Sequence, residues 1–271
     1  MKSLYKSIFI CSIMLIFTST VHSNNNSVKL KEESVEYTIN GVNFKGFVAY
    51  DENLPGKRAV VLVVPEWWGL NDYAKMRTRK LAELGYLAMA VDMYGNGKIA
   101  LNPTEAQALA TPFYADPQIG KSILDAALKK IEEFPQADRG KIAAIGYCFG
   151  GSAVLNYAKL GASLKGVVSF HGGLKGVPAK KELLKAQILV CHGGSDQFVP
   201  EQDVKTFKHQ LDSIGAIYTF KVYPNSTHAF TNPDATKVGK QFNMPIEYNA
   251  AADKDSWEDM KLFLQRLFSQ E

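Results

Sequence analysis

The segment Lys141-Ile-Ala-Ala-Ile-Gly-Tyr-Cys-Phe-Gly-Gly151 joins a short apolar run to a cysteine, Cys148, that is flanked by glycines. The apolar run predicts a buried β-strand, and the Gly-x-Cys-x-Gly pattern predicts a tight turn from that strand into a helix. Glycines two positions to either side leave room for the strained backbone of such a turn. The turn pushes the cysteine side chain into the open at a helix N-terminus, whose dipole favours thiolate over thiol. The pattern predicts a nucleophile, although a lone cysteine at a strand end is otherwise often a small buried hydrophobe.

Two possible partners follow Cys148 in the chain. Asp196 follows the apolar run 188–192 and Gly193-Gly194, and His228 lies on the loop after the next predicted strand. The order nucleophile, acid, histidine is the one that this strand-turn-helix architecture uses, and the carboxyl ends of parallel strands meet at one edge of a sheet. Singly, Asp196 reads as a helix cap or turn residue and His228 as an ordinary loop histidine. Together with Cys148 they predict a Cys-His-Asp triad.

Four segments of the chain resemble the dienelactone hydrolase family of cysteine-dependent enzymes. They are Gly-Tyr-Cys-Phe-Gly-Gly at 146–151, His-Gly-Gly-Ser-Asp-Gln-Phe-Val-Pro at 192–200, Thr-His-Ala-Phe at 227–230 and Val-Pro-Glu-Trp-Trp-Gly-Leu-Asn at 64–71. The resemblance runs over essentially the whole chain after residue 23. It implies an α/β-hydrolase fold, with a mostly parallel central sheet and helices on both faces, and a hydrolase acting on ester bonds.

Glu66 follows the apolar run 59–64, in the loop that supplies one oxyanion donor in this fold. The resemblance implies that this glutamate takes part in activating Cys148. A structural carboxylate bonded to loop amides is the alternative. The backbone N–H groups of Trp67 and Phe149 are the expected oxyanion donors. With these groups the sequence predicts attack of the thiolate on a carbonyl and a thioester intermediate, which His228 helps water to cleave.

The rest of the chain alternates between strand and helix patterns, which is typical of a mostly parallel sheet. An N-terminal antiparallel hairpin is expected over 34–50, broken by Asn40-Gly41. The predicted core strands are 59–64, 86–92, 141–147, 166–171, 187–192 and 216–223. The predicted helices are 72–84, 103–111, 117–133, 149–160, 200–213 and 254–268. Residues 231–249, which contain several Asn and Pro, are expected to form a loop near the site.

The substrate-binding residues are predicted less directly than the triad. Trp67 and Trp68 are expected to form an apolar wall of the pocket. The remaining candidates are Asn96, His171, Phe230 and Asn232, although a structural role is the alternative for His171, as it is for His192.

The resemblance is incomplete at the positions that recognise a carboxylated dienelactone. The family enzyme has arginines where this chain has Asn96 and Asn232, and a serine where it has Ala229. A bidentate guanidinium is hard to replace in carboxylate recognition, so poor turnover of dienelactone itself is expected. Arg77 and Arg79 are possible substitutes, but a solvated helix face is the simpler interpretation of both.

The first 23 residues have the pattern of a secretory signal peptide. Lys2 and Lys6 precede an apolar stretch over 8–17, and Val21-His22-Ser23 resembles a cleavage signal. We expect cleavage after Ser23 and export to the periplasm or medium, with no stable membrane insertion afterwards; a retained anchor is the alternative. Residues 24–271 are expected to form a single domain.

Composition excludes several other classes of protein. The formal net charge is +4, or +2 without Lys2 and Lys6, and charges of both signs are interspersed, so no nucleic-acid partner is indicated. Cys148 and Cys191 are too few for a disulfide framework and are expected to be free thiols. No histidine cluster has metal-ligand spacing, and no cofactor is expected. The expected partner is a small ester or lactone; a weakly catalytic or non-catalytic protein that binds a small apolar ligand is the alternative.

Overall fold

The computed structural model describes residues 27–269, so the predicted signal peptide, residues 1–23, lies outside the described residues. The strands are β1 (Leu30–Ile39), β2 (Val42–Asp51), β3 (Arg58–Val64), β4 (Leu87–Ala90), β5 (Ala137–Tyr147), β6 (Gly166–Phe170), β7 (Gln187–Gly193) and β8 (Tyr218–Tyr223). The helices are α1 (Asp72–Glu83), α2 (Pro103–Ala115), α3 (Pro117–Ile131), α4 (Phe149–Lys159), α5 (Glu201–Ser213), α6 (Ala235–Phe242) and α7 (Ala250–Ser269). No helix within 27–269 is long and apolar enough to cross a membrane.

The strands form one sheet in the order β1-β2-β4-β3-β5-β6-β7-β8. The β1–β2 hairpin turns at Asn40-Gly41 and pairs antiparallel with the edge of β4. From β4 to β8 every neighbouring pair is parallel. The predicted fold class, including the antiparallel N-terminal hairpin, is confirmed.

Alternate residues of β3 face opposite layers of helices, because successive side chains of a strand point to opposite faces. Val61 and Val63 pack with residues of α1 and α7, whereas Val60, Leu62 and Val64 pack with residues of α2, α3, α4 and α5. The central strands are therefore buried on both faces, as parallel strands usually are. Their carboxyl ends carry the loops of the candidate site.

Several predicted elements have different bounds in the structure, and two of these differences have a clear local cause. The expected loop over 231–249 contains the two-turn helix α6, which begins after Asp234 and ends at Asn243 in a left-handed conformation, with φ +51°. Left-handed Asn is a common helix stop, so the signal was present in the sequence. Helix α7 begins at Ala250, four residues before the predicted start at 254, because Asn249 accepts a hydrogen bond from Ala252 N.

Candidate active site

Cys148 occupies a strained turn between β5 and α4. Its backbone has φ +52° and ψ −115°, outside the regions that non-glycine residues normally adopt. The flanking glycines are required by close packing: a Cβ on Gly146 would collide with the backbone of Gly150, and a Cβ on Gly150 would collide with Val64 O. The turn therefore holds the thiol at the end of the sheet, at the N-terminus of α4, where the dipole favours negative charge.

His228 and Asp196 meet beside this turn. Nδ1 of His228 lies 2.8 Å from Oδ2 of Asp196, and the other carboxylate oxygen accepts a hydrogen bond from Phe198 N at 2.9 Å. The two oxygens of Asp196 are thus both occupied, which fixes the carboxylate. Since Nδ1 is bonded to Asp196, Nε2 is the imidazole nitrogen left for the thiol.

The Cys148 and His228 side chains line the same cavity, and the sulfur is close enough for its charge to act on the imidazole. Burial by itself lowers the pKa of His228, but the negative charges of Cys148 and Asp196 and the hydrogen bond to Asp196 outweigh burial and hold that pKa well above its usual range. An imidazolium is therefore stabilised between a sulfur and a carboxylate. This arrangement is able to store on His228 the proton that leaves the thiol.

Glu66 is buried at the end of β3, on the wall of this cavity. Its Oε2 accepts a hydrogen bond from Asn232 Nδ2 at 2.6 Å. Burial raises the pKa of Glu66 to about 7, although the Asn232 bond and the positive charge of His228 oppose that effect. A carboxyl with such a pKa exchanges protons readily near neutral pH.

Trp67 and Phe149, the residues expected to supply oxyanion donors, also line the cavity. Phe149 is the first residue of α4, and the first N–H groups of a helix have no partner within the helix. A residue outside the loop holds Trp67 in place: the Tyr94 hydroxyl donates a hydrogen bond to Trp67 O at 2.9 Å.

The cavity has a volume of about 620 Å³, the size of a small-molecule site, and Cys148 forms part of its lining. Its apolar lining comprises Trp67, Trp68, Tyr114, Phe149, Leu174, Phe198, Val199, Pro200, Ala229, Met244 and Ile246, and its polar lining comprises Glu66, Gln107, Ser152, Asn156, Lys175 and Asp203. Lys175 is paired with Asp203 at 3.4 Å and is largely exposed at the rim. Within the described part of the chain, the lining therefore presents no unpaired cation near the thiol.

Residues 44–268 match the model of the dienelactone hydrolase family. The chain belongs to the dienelactone hydrolase family. This assignment confirms the resemblance seen in the sequence and makes the chain a hydrolase that acts on ester bonds.

Two relatives of this chain are each named "putative carboxymethylenebutenolidase". The protein of Methylorubrum extorquens is 30% identical over 65% of this chain and 64% of its own length. That of Saccharolobus solfataricus is 26% identical over 87% of this chain and 99% of its own length. Among solved structures, a dienelactone hydrolase-like promiscuous phosphotriesterase from metagenomic libraries is 32% identical, with a TM-score of 0.82 over 88% of this chain and 98% of its own.

Of the predicted substrate-binding residues, only Trp68 lines the cavity in this family member. It packs edge-on against Trp67, with ring centroids 5.3 Å apart, and tilts over Phe242 of α6. Asn96 is exposed in a left-handed turn, with φ +55°, where its N–H bonds to Asn43 O. Asn96 is therefore not part of the cavity lining, because this turn lies against the N-terminal hairpin.

His171, Phe230 and Asn232, which were also expected to bind substrate, lie behind the cavity lining. All three are buried, and none lines the cavity. The ring of His171 packs edge-to-face against both His228 and Phe230. Asn232, where the family enzyme has arginine, instead holds the Glu66 carboxylate.

Arg77 is buried, which contradicts its expected place on a solvated helix face. Its guanidinium forms an ion pair with Asp253 of α7 and donates to Thr231 O and, at 3.3 Å, to Tyr73 OH. The cause is tertiary: α7 covers the face of α1 that carries Arg77. Arg79 does lie on the exposed face, in an ion pair with Glu32.

Met244 and Ile246 are cavity residues that the sequence analysis missed. Ile246 forms a parallel β-bridge with His228, and Glu247 N donates to Thr227 Oγ1 at 2.7 Å. The segment after α6 is thus tied back onto the histidine loop and closes one wall of the cavity. A Met-Pro-Ile sequence after a helix stop gave only a weak signal for such a return.

Cys191 lies in β7, buried and free. Burial raises the pKa of its thiol to about 12, although the Tyr223 hydroxyl bond opposes that effect, so it stays protonated at neutral pH. No bridge joins it to Cys148. Within residues 27–269 no group of three or more His, Cys, Asp or Glu side chains is placed to hold a metal ion.

Proposed function

We propose that this protein is an exported cysteine hydrolase that cleaves small ester, lactone or thioester bonds through a Cys148-His228-Asp196 triad and a thioester intermediate. The observation that carries the proposal is the position of His228: Nδ1 is held by Asp196 at 2.8 Å, and the imidazole lines the same cavity as Cys148, whose charge acts on it. A histidine so placed has its tautomer fixed on one side and a nucleophile on the other.

In the first half of the reaction the Cys148 sulfur attacks the carbonyl carbon, and the carbonyl π electrons move to the oxygen. The backbone N–H groups of Trp67 and Phe149 stabilise that oxyanion. The intermediate collapses as the bond from carbon to the leaving oxygen breaks, and the imidazolium of His228 gives its proton to the departing alkoxide. The products are an alcohol and a thioester on Cys148.

In the second half, His228 takes a proton from a water molecule while the water oxygen attacks the thioester carbon. Collapse of the second tetrahedral intermediate breaks the carbon–sulfur bond and releases the acid. The departing sulfur leaves as thiolate, which the imidazolium stabilises. Asp196 remains ionised throughout, because its role is to hold the tautomer and balance the charge of His228.

Glu66 acts before these steps: it accepts the thiol proton first and passes it on to His228, which later gives it to the leaving alkoxide. Its carboxyl is buried on the cavity wall and has a pKa near 7. A proton therefore moves to it at low cost when the sulfur turns toward a substrate. Asn232 supports this role because a neutral amide stabilises the carboxylate less than an arginine would.

The lining favours uncharged substrates. Aromatic and aliphatic side chains make up most of the cavity, and Lys175 is already paired with Asp203. A carboxylate on the substrate would lose its hydration without gaining a cationic partner. Neutral esters and lactones with an apolar or aromatic acyl group therefore fit better than a carboxylated dienelactone.

A burst experiment with Cys148→Ala and Cys148→Ser tests the proposal. The parent protein is mixed with 4-nitrophenyl butyrate, quenched in acid within milliseconds and analysed as intact mass and peptides. We expect an early burst of 4-nitrophenol and a butyryl adduct on Cys148. Cys148→Ala should give neither, with its thermal midpoint nearly unchanged, and Cys148→Ser should be slow because a hydroxyl is far less acidic.

The alternative, a protein that only binds a small apolar ligand, predicts no burst and no adduct in the parent. Retained turnover in Cys148→Ala would contradict the assignment of the nucleophile. Turnover of Cys148→Ser equal to that of the parent would show that Glu66 and His228 are not matched to a thiolate.

A second candidate activity is the cleavage of neutral phosphotriesters. A promiscuous phosphotriesterase is 32% identical to this chain, and an uncharged triester suits a cavity without an unpaired cation. Cys148 would displace an aryl oxide from phosphorus and form a thiophosphate ester. Release of 4-nitrophenol from diethyl 4-nitrophenyl phosphate, absent in Cys148→Ala, is the expected result.

Export is supported by the charged, apolar and small-residue segments of the first 23 residues. Fractionation of expressing cells and N-terminal sequencing test it. A mature protein beginning at Asn24 outside the cytoplasm is expected, whereas uncleaved protein in the membrane fraction would indicate a retained anchor.

A further inference from the structure

We propose that His171 is a positioning residue that fixes the nucleophile and the base relative to each other, through its Nδ1 atom and its ring face. The inference rests on the proposed function, since it assigns a support for Cys148 and His228. The inference goes beyond the proposed function because it concerns a residue, His171, that touches neither the substrate nor the reacting atoms.

The first contact is with the nucleophile's backbone. Cys148 N donates both to Phe170 O at 3.0 Å and to His171 Nδ1 at 3.1 Å. These two acceptors fix the peptide plane that leads into Cys148, whose φ of +52° is strained. Such a conformation persists only where its surroundings determine it strongly. The direction of the Cys148 side chain therefore depends in part on His171.

The second contact is with the base. The rings of His171 and His228 pack edge-to-face, with centroids 5.3 Å apart and planes at 64°. His171 lies at the end of β6, between the strands that carry the nucleophile and the acid, and is itself in a left-handed conformation with φ +41°. One buried side chain thus touches the nucleophile's amide and the base's ring, and sets the distance between them.

This arrangement requires one tautomer of His171. Because Nδ1 accepts from Cys148 N, the ring proton is on Nε2, which lies 2.7 Å from Thr231 Oγ1. Thr231 Oγ1 is in turn 2.6 Å from Tyr73 OH, and Thr231 O accepts from Arg77. Burial, and the positive charges of His228 and Arg77, lower the pKa of His171 well below its usual range, which keeps Nδ1 free to accept.

His171→Asn and His171→Gln test the hydrogen bonds of the two ring nitrogens separately. The amide oxygen of Asn takes the place of Nδ1 and is able to accept from Cys148 N, and Asn tolerates positive φ best. The amide nitrogen of Gln takes the place of Nε2 and keeps only the bond to Thr231. For 4-nitrophenyl butyrate, with active sites counted from the burst, we expect kcat to fall about 10²-fold in the Gln variant and much less in the Asn variant. KM should change little in both, and alkylation of Cys148 by iodoacetamide should slow in parallel with kcat.

A second pair of variants leaves His171 in place and serves if the Gln variant does not fold. Thr231→Val removes the acceptor for the Nε2 proton, whereas Thr231→Ser keeps it. We expect the valine variant to lose turnover and to show, by ¹⁵N NMR of labelled histidine, a mixture of tautomers. The serine variant should keep both the rate and the Nε2–H tautomer. Tyr73→Phe, which disturbs the same hydroxyl cluster without removing that acceptor, should keep the rate.

Two outcomes overturn the inference: equal kcat per active site in the Asn and Gln variants, or equal kcat in the valine and serine variants. Cys148→Ala, included as a parallel arm, separates this failure from that of the proposed function. If Cys148→Ala is inactive and the paired variants do not differ, only the role of His171 is wrong. If Cys148→Ala keeps its activity, the proposed nucleophile is wrong as well.

Discussion

Oδ2 of Asp196 lies 2.8 Å from Nδ1 of His228, while Phe198 N occupies the other oxygen of the same carboxylate. The aspartate is thereby held in one orientation, and the histidine in one tautomer. Because this tautomer leaves Nε2 free of hydrogen until it takes the thiol proton, the bond determines whether the imidazole is able to act as a base.

Asp196→Asn is expected to reduce kcat by about 10³–10⁴-fold, with little change in KM, because the amide donates to Nδ1 and leaves the ring proton on Nε2. Steady-state kinetics with 4-nitrophenyl butyrate provide the measurement. The exposed Asp255→Asn is the matched control and should behave like the parent. A loss below about tenfold would show that Asp196 does not set the tautomer.

Glu66→Gln is expected to stabilise the fold at alkaline pH. Burial raises the pKa of Glu66 from 4.5 to about 7, so the folded state binds the proton more tightly than the unfolded state. The folded state therefore loses stability as pH rises from about 4.5 to about 7, by about 3 kcal/mol in all, and loses no more above that range. The amide never ionises, so the variant escapes that loss.

The free energy of unfolding in urea, measured from about pH 5 to pH 8, tests this sign. The variant should exceed the parent at pH 8, and the difference should shrink toward pH 5. Glu182→Gln, at an exposed site, should show no such trend. If instead the free energy of unfolding of the parent rises relative to that of the variant as pH increases, the surroundings of Glu66 stabilise its carboxylate form.

Gly150→Ala is expected to cost about 1–3 kcal/mol of stability and most of the activity, because its Cβ would collide with Val64 O and Pro65 O and push the nucleophile turn away from the Glu66 loop. Gly120→Ala is the matched control. It too replaces a helical glycine, but its Cβ would be 3.6 Å from Phe113, an ordinary contact.

Urea unfolding and kcat measure both effects. Gly120→Ala should be neutral or stabilising by up to about 1 kcal/mol, since alanine favours a helix. Equal behaviour of the two variants would show that the close approach at Gly150 is not needed.

Cys148 is expected to be modified by iodoacetamide in the native protein, and Cys191 only after unfolding. Cys148 is partly exposed at the cavity, whereas Cys191 is fully buried and its pKa is raised to about 12. Peptide mapping after a short treatment measures the two sites separately. Mild peroxide should inactivate the enzyme through Cys148, and a thiol reductant added early should restore it. Native labelling at Cys191 would contradict the burial argument.

The turn at Cys148 was predictable because its requirements are local. A buried strand, two glycines and a helix start within eleven residues specify both the strained backbone and the end of the sheet where the thiol appears. Asp196 and His228 were predictable for a related reason: each follows a parallel strand, and the carboxyl ends of such strands meet at one edge. Chain order and strand position together determined that these three side chains meet at one edge of the sheet.

Tertiary packing alone decided which polar groups became partners behind that edge. Asn232 and Glu66 are 166 residues apart in the chain, and Arg77 and Asp253 are 176 apart, so no local pattern specifies either pair. The same holds for the bond from Cys148 N to His171, and for the return of Met244 and Ile246 to the cavity wall. A short polar segment is able to lie either at the surface or in the interior, and the helix that packs over it decides which. The sequence by itself thus determined that Cys148, Asp196 and His228 lie at one end of the sheet; the packing of α1, α6 and α7 decided which groups support them and what shapes the pocket.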